Sequence, residues 1–244
     1  MAVKIGHAVM DENGRTDGPV VGDQTGKEVR VDKWYARNSK GIGWSHYAEL
    51  KDAKLREKLA VFIEAACSND GIGYSQPRRT TLYDVLKGGT AVEIAHASVD
   101  CTSLIFIGLI CACGIKTPIG YSGNMARLLS ETGQFNIYTD AEHLETDKLA
   151  KRGGIYLRNG HALTVLEDGS SVVSPVTGPY ILALGSVNVR VAAGVGNKII
   201  ATTRKGDKLP YLGEVDWDTG WFKVETKSGI GYITNKTRYV RLVE

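Results

Sequence analysis

The 244-residue chain has almost no excess charge: 30 Lys and Arg against 27 Asp and Glu leave +3. That is too little to point to a nucleic-acid partner. It also lacks a long apolar run. The most hydrophobic stretch, Leu104 to Cys113, is too short, and too tightly bracketed by Asp100 and Lys116, to insert in a membrane. Met1–His7 shows no basic start leading into an apolar core, so no signal peptide is expected. The four cysteines, Cys67, Cys101, Cys111 and Cys113, offer one Cys-x-Cys with no second pair and no nearby histidine cluster. A metal site and any other cofactor are therefore not expected. Two cysteines two apart on a helix point in different directions, so a disulfide framework is not expected either, and the chain reads as folded under reducing conditions.

What is present is a chain long and apolar enough, at 43% hydrophobic, to build a core and two domains. Its organising stretch runs from Val99 to Ile110, where Asp100-Cys101-Thr102-Ser103 leads into Leu104-Ile105-Phe106-Ile107-Gly108-Leu109-Ile110. Asp100, Thr102 and Ser103 supply N-cap chemistry, and the apolar run is too long for an ordinary strand, so a buried helix starts near the cysteine. Cys101 then sits on the helix N-terminus, where free backbone N–H groups and the helix dipole favour a thiolate. The alternative is a structural thiol behaving as a small hydrophobe.

Residues 1 to about 45 are rich in glycine and turn residues around one β-like run, Glu28–Val31. The aromatic residues Trp34, Tyr35, Trp44 and Tyr47 argue that this segment is ordered, and His7 and Gln24 are candidates to line a cleft. Helices are expected over 48–67, 80–86, 101–113 and 121–132, with Ser122 capping and Gly133 stopping the last. From Phe135 the pattern turns to strands: 135–138, 154–157, 161–166 and 171–174. This is α+β, helices first and an antiparallel sheet after. Prolines and glycines over 176–184 mark a linker between a first domain, 1–175, and a second, 185–244. In the second, short strands at 187–190, 198–201, 208–212, 221–224 and 231–233 predict a small all-β barrel.

A thiol nucleophile needs a base that is distant in sequence and close in space. Of the five histidines, His161 opens a core strand after the turn Arg158-Asn159-Gly160 and is placed to share a proton with Cys101. His46 and His143 lie in polar surroundings, and His96 lies across a turn from the cysteine.

Asp100-Cys101-Thr102-Ser103-Leu104, followed some sixty residues later by Gly160-His161-Ala162-Leu163-Thr164-Val165, closely resembles the Asp-Cys-Ser and Gly-His motifs of NlpC-type and CHAP-type cysteine peptidases. Ile72-Gly73-Tyr74-Ser75-Gln76 looks like the tyrosine segment that precedes the cysteine in the NlpC type. The resemblance spans roughly residues 60 to 175. It implies a papain-like fold, cleavage of a peptide or amide bond of peptidoglycan, Cys101 and His161 as catalytic pair, and Tyr74 beside the nucleophile. Asp100, read mainly as a helix cap, and Gln76 are candidate substrate contacts. The third catalytic position normally lies on the strand after the histidine. Alignment puts Val173 there, with Ser174 the nearest polar side chain and Glu167 at the wrong spacing, so the position is open.

Val187-Asn188-Val189-Arg190, Gly220-Trp221-Phe222-Lys223-Val224 and Gly229-Ile230-Gly231-Tyr232-Ile233 resemble a bacterial SH3-like domain, the kind of module that tethers wall hydrolases to peptidoglycan peptides. Trp217, Trp221 and Tyr232 are candidate ligand contacts, with Trp221 and Tyr232 also candidates for the barrel core. One catalytic domain, one wall-binding module and no signal peptide look like a phage or prophage endolysin, made in the cytoplasm and acting at the cell wall. The alternative is a non-catalytic wall- or peptide-binding protein.

Overall fold

The computed structural model describes residues 2–10, 14–16, 28–171, 178–216, 220–226 and 229–243. They divide into two units, Met1–Val172 and Val173–Glu244. The first unit opens with three strands, β1 (Lys4–Ala8), β2 (Val29–Lys33) and β3 (His46–Leu50). There follow α1 (Ala53–Ser68), β4 (Ile72–Tyr74), α2 (Thr81–Leu86), β5 (Ala97–Val99) and α3 (Cys101–Cys111). It closes with α4 (Met125–Glu131), β6 (Phe135–Tyr138), α5 (Ala141–Leu144), β7 (Ile155–Arg158) and β8 (His161–Val165).

The six-stranded sheet runs β2-β1-β8-β7-β3-β6, every neighbour antiparallel. The expected order, helices first and sheet after, is thus corrected: half of the sheet precedes α1. β1 was hidden because its inner four residues are all buried, which erases the period of two and leaves a short glycine-containing run. β3 was read as the first turns of a helix starting at Ala48. In the fold, Tyr47–Leu50 are held between β6 and β7, and α1 begins only where Asp52 accepts hydrogen bonds from the Lys54 and Leu55 N–H groups. Similarly α4 starts at Met125 rather than Tyr121, and Ser122 accepts the Gly160 N–H instead of capping it.

α1 lays Leu59, Phe62, Ile63 and Ala66 against the core. α3 is buried on all sides from Cys101 to Leu109, so it is a central helix and not an amphipathic one. The two approach closely at Gly108, where a Cβ would stand 2.9 Å from both Leu59 and Phe62. The opposite sheet face carries an aromatic cluster of Trp44, Tyr47 and Tyr156, with Trp34, Tyr35 and Tyr138 packed on it. Burying both faces is what fixes the register of β7 and β8, and with it the place of His161.

In the second unit, β9 (Tyr180–Ala183), β10 (Asn188–Arg190), β11 (Ile199–Thr202), β12 (Lys208–Asp216), β13 (Trp221–Thr226), β14 (Gly229–Thr234) and β15 (Val240–Val243) form an antiparallel sheet ordered β11-β10-β14-β13-β12-β9-β15. β12 pairs with β9 at its start and with β13 beyond a bulge after Tyr211, so one long strand bends between two partners. Ile181, Val189, Val224, Ile233 and Val240 make the core. Residues 180–183, expected in the linker, are therefore a strand whose Ile181 and Ala183 are buried. The strand expected at 171–174 lies outside the described residues from Val172 onward.

Candidate active site

The parallel pair β4–β5 sets Tyr74 opposite Val99, one residue before Asp100 and two before Cys101. Asp100 then starts α3 with a complete capping box. One of its oxygens accepts the Thr102 and Ser103 N–H groups, and the Ser103 hydroxyl accepts the Asp100 N–H. The other oxygen pairs with Arg79 at 2.9 Å, and the Arg79 guanidinium also donates to the Gly120 carbonyl. Both oxygens of Asp100 thus have partners within the fold, and its structural part is that of a cap which holds the cysteine in place.

Cys101 is buried, 7% exposed, and its thiol lies within electrostatic reach of the backbone N–H of Thr102 and of Ala162, the residue after His161. Burial, reinforced by the Asp100 charge, pushes the thiol up to about 11 against the pull of those N–H groups and Arg79. The thiolate expected from the helix start is therefore not the resting form. Desolvation outweighs the dipole here.

His161 opens β8 across from Arg158, the last residue of β7, over a tight turn whose Gly160 has φ +83°. Its ring stacks on Trp44, centroids 6.1 Å apart, and Arg158 lies over the same indole at 4.8 Å. Burial, then the neighbouring His7 and the Arg158 charge, pulls the imidazole down to about 3. His161 Nε2 lies 3.0 Å from Nδ1 of His7 on β1, and His7 Nε2 lies 2.9 Å from Oδ2 of Asp32 on β2. Asp32 is held in turn by the Arg30 guanidinium at 2.8 Å. Among the described residues no hydrogen bond joins Cys101 to His161, although α3 packs against β8.

Tyr74 is buried close enough to feel the Cys101 charge, its hydroxyl accepts from Gln76 at 3.3 Å, and burial pushes its phenol up to about 12. Glu167 pairs with Lys4 at the surface, outside the histidine chain. Val173 and Ser174 lie outside the described residues. Trp44 also lines a cavity of about 540 Å³ with Arg37, Leu144 and Glu145. Trp221 is buried and Tyr232 half-buried, while Trp217 and Gln24 fall outside the described residues.

A family model described as an endolysin-like domain matches residues 5–172, and one described as a bacterial SH3 domain matches residues 185–240. The chain belongs to the endolysin-like domain family. No curated protein matches it. The two matches together support an endolysin-type cell-wall protein, with peptidoglycan as substrate or binding target. Within the endolysin-like domain, His7, Asp32, Trp44 and Arg158 are the site residues that sequence reasoning did not connect. His7 stood out only as a histidine near a cleft; nothing in the spacing tied it to a partner 154 residues away. No described helix is long and apolar enough to cross a membrane.

Proposed function

We propose that the first unit is a papain-like cysteine hydrolase of the NlpC or CHAP kind, cutting a peptide or amide bond of peptidoglycan. The observation that carries this is the packing of α3, which starts at Cys101, against β8, which starts at His161: the thiol lies within electrostatic reach of the Ala162 N–H, His161 Nε2 is engaged by His7, and its Nδ1 has no hydrogen-bond partner among the described residues. The thiol turns to His161 Nδ1 and gives up its proton there, since such pairs tighten when substrate arrives. Sulfur bonds to the carbonyl carbon, and negative charge builds on the carbonyl oxygen. The helix N-terminus and the Tyr74 hydroxyl stabilise that oxyanion. The C–N bond breaks, the amine leaves with the proton from His161, and water hydrolyses the thioester with His161 as base. Gln76, against Tyr74, and the Trp44 cavity are the proposed substrate contacts.

Residues 185–244 act as the wall tether, with Trp217, Trp221 and Tyr232 as proposed ligand contacts. The hydrolase lies within residues 1–175, and strand β9 at 180–183 belongs with the wall module. Replacing Cys101 by serine abolishes turbidity loss of a susceptible cell-wall suspension and leaves the fold intact. Retained lysis refutes the assignment. The non-catalytic reading draws on the raised Cys101 thiol, and mass spectrometry of purified peptidoglycan separates the two: a hydrolase releases fragments and a binder releases none.

A further inference from the structure

We infer that Asp32, acting through His7, selects the tautomer of His161 that leaves Nδ1 free as the base, so that the N-terminal hairpin β1–β2 supplies two positioning residues for the reaction. The inference rests on the cysteine-hydrolase reading above, in which His161 takes the thiol proton.

An ionised carboxylate only accepts hydrogen bonds. Burial would raise the Asp32 carboxyl, but hydrogen bonds from Arg30 and His7 prevail and hold it below its usual value, so it is ionised. The 2.9 Å contact therefore requires the hydrogen on Nε2 of His7. Burial outweighs the Asp32 attraction and keeps His7 neutral, so its one hydrogen is spent and Nδ1 can only accept. The 3.0 Å contact then requires the hydrogen on Nε2 of His161. His161 is also neutral, which leaves its Nδ1 as a lone pair with no hydrogen-bond partner among the described residues. Reversing the donor at Asp32 would reverse every bond in the row and put a hydrogen on the nitrogen that must receive one.

The hairpin geometry supports this. β1 and β2 pair from Lys4↔Lys33 to Ala8↔Val29, and β1 is pinned to β8 by Ile5↔Val165 and Gly6↔Thr164. The row Asp32–His7–His161 thus runs across three adjacent strands, each held by backbone pairing. Arg30 donates to the same Asp32 oxygen that faces His7, which fixes that oxygen as an acceptor.

Long-range proton–nitrogen NMR on the histidine-labelled full chain reads the tautomers without substrate. The expected result is a neutral Nε2–H tautomer for both His7 and His161. Asp32→Ala removes the acceptor, moves His161 toward Nδ1–H and lowers kcat on purified peptidoglycan at least tenfold, within the ~10²–10⁴ that a positioned base supplies, with little change in KM. Asp32→Asn keeps an oxygen for His7 and Arg30 and restores the tautomer and most of the rate; a merely structural role would move melting temperature without moving the tautomer. A wild-type His161 protonated on Nδ1, or tautomers unchanged in Asp32→Ala, overturns the inference, and the wild-type spectrum decides even where a variant fails to fold. Lysis by Cys101→Ser refutes the hydrolase reading and leaves the tautomer result standing, so the two failures are distinct.

Discussion

Acid should unfold the first unit through His161. In the folded chain this imidazole titrates near 3, against 6.5 when free. As pH falls below 6.5 the unfolded chain takes up a proton that the folded chain refuses, so stability is lost progressively between pH 6.5 and about 3. The full loss is at most about 5 kcal/mol, since the ring keeps an exposed edge; at pH 5 it is about 2 and at pH 4 about 3 kcal/mol. For a unit of this size, 2 kcal/mol is about 4–8 °C of melting temperature. His7 is shifted the same way by burial and adds to the loss. Carboxylates such as Glu64 and Glu167, held low by Arg152 and Lys4, begin to contribute as pH falls toward their free value of 4.5, equally with or without His161. The measurement is therefore a difference between wild type and His161→Gln, in urea, at pH 7, 5 and 4. All four cysteines lie in the first unit, so unfolding can be read there by thiol labelling with 4,4′-dithiodipyridine, which reacts in acid. The stability gap between the two proteins should shift by about 2 kcal/mol from pH 7 to 5, with wild type losing more. Parallel pH dependences would refute the claim that His161 is held neutral by its surroundings.

With the thiol near 11, alkylation of Cys101 should rise about tenfold per pH unit up to pH 10 without levelling; a plateau below pH 7 would reveal a resting thiolate–imidazolium pair instead. Gly6→Ala would put a Cβ 2.5 Å from Ile63 and 3.1 Å from Cys67, pushing β1 off α1 at a cost of about 1–3 kcal/mol, read by urea unfolding. It should slow lysis more than its melting loss explains, because His7 is displaced from His161; full specific activity would count against the relay. Arg79→Met strips the buried Asp100 of its counter-ion and should cost about 3 kcal/mol, while removing a charge that holds the Cys101 thiol down, so its alkylation slows at fixed pH. Unchanged melting and labelling would show that the capping N–H groups suffice.

What was legible in the sequence were the elements whose chemistry is local. Asp100-Cys101-Thr102-Ser103 spells a capped helix start, and the structure returns Asp100 as N-cap with a capping box. The turn before His161 and the run 161–165 were legible as a hairpin for the same reason. What was hidden depends on distant pairing. β3 satisfied helical spacing because a strand buried on both faces has no alternation to show. The Asp32–His7–His161 row exists only because β1 inserts beside β8, a pairing between the two ends of the unit that no local pattern encodes. The burial that opposes ionisation of Cys101 was hidden because a helix start is visible in sequence, whereas the depth of burial around it is not.

The insertion of β1 beside β8 also orders events in time. During synthesis His7 leaves the ribosome early and its partner emerges only 154 residues later. A nascent chain stopped between α3 and β8 carries the thiol and its capping residues, but not His161 or the row that orients it. The proposed hydrolase is thus assembled by the last strand of its sheet, in a step of high contact order that comes late in folding. On the proposed mechanism, products truncated before β8 are inert.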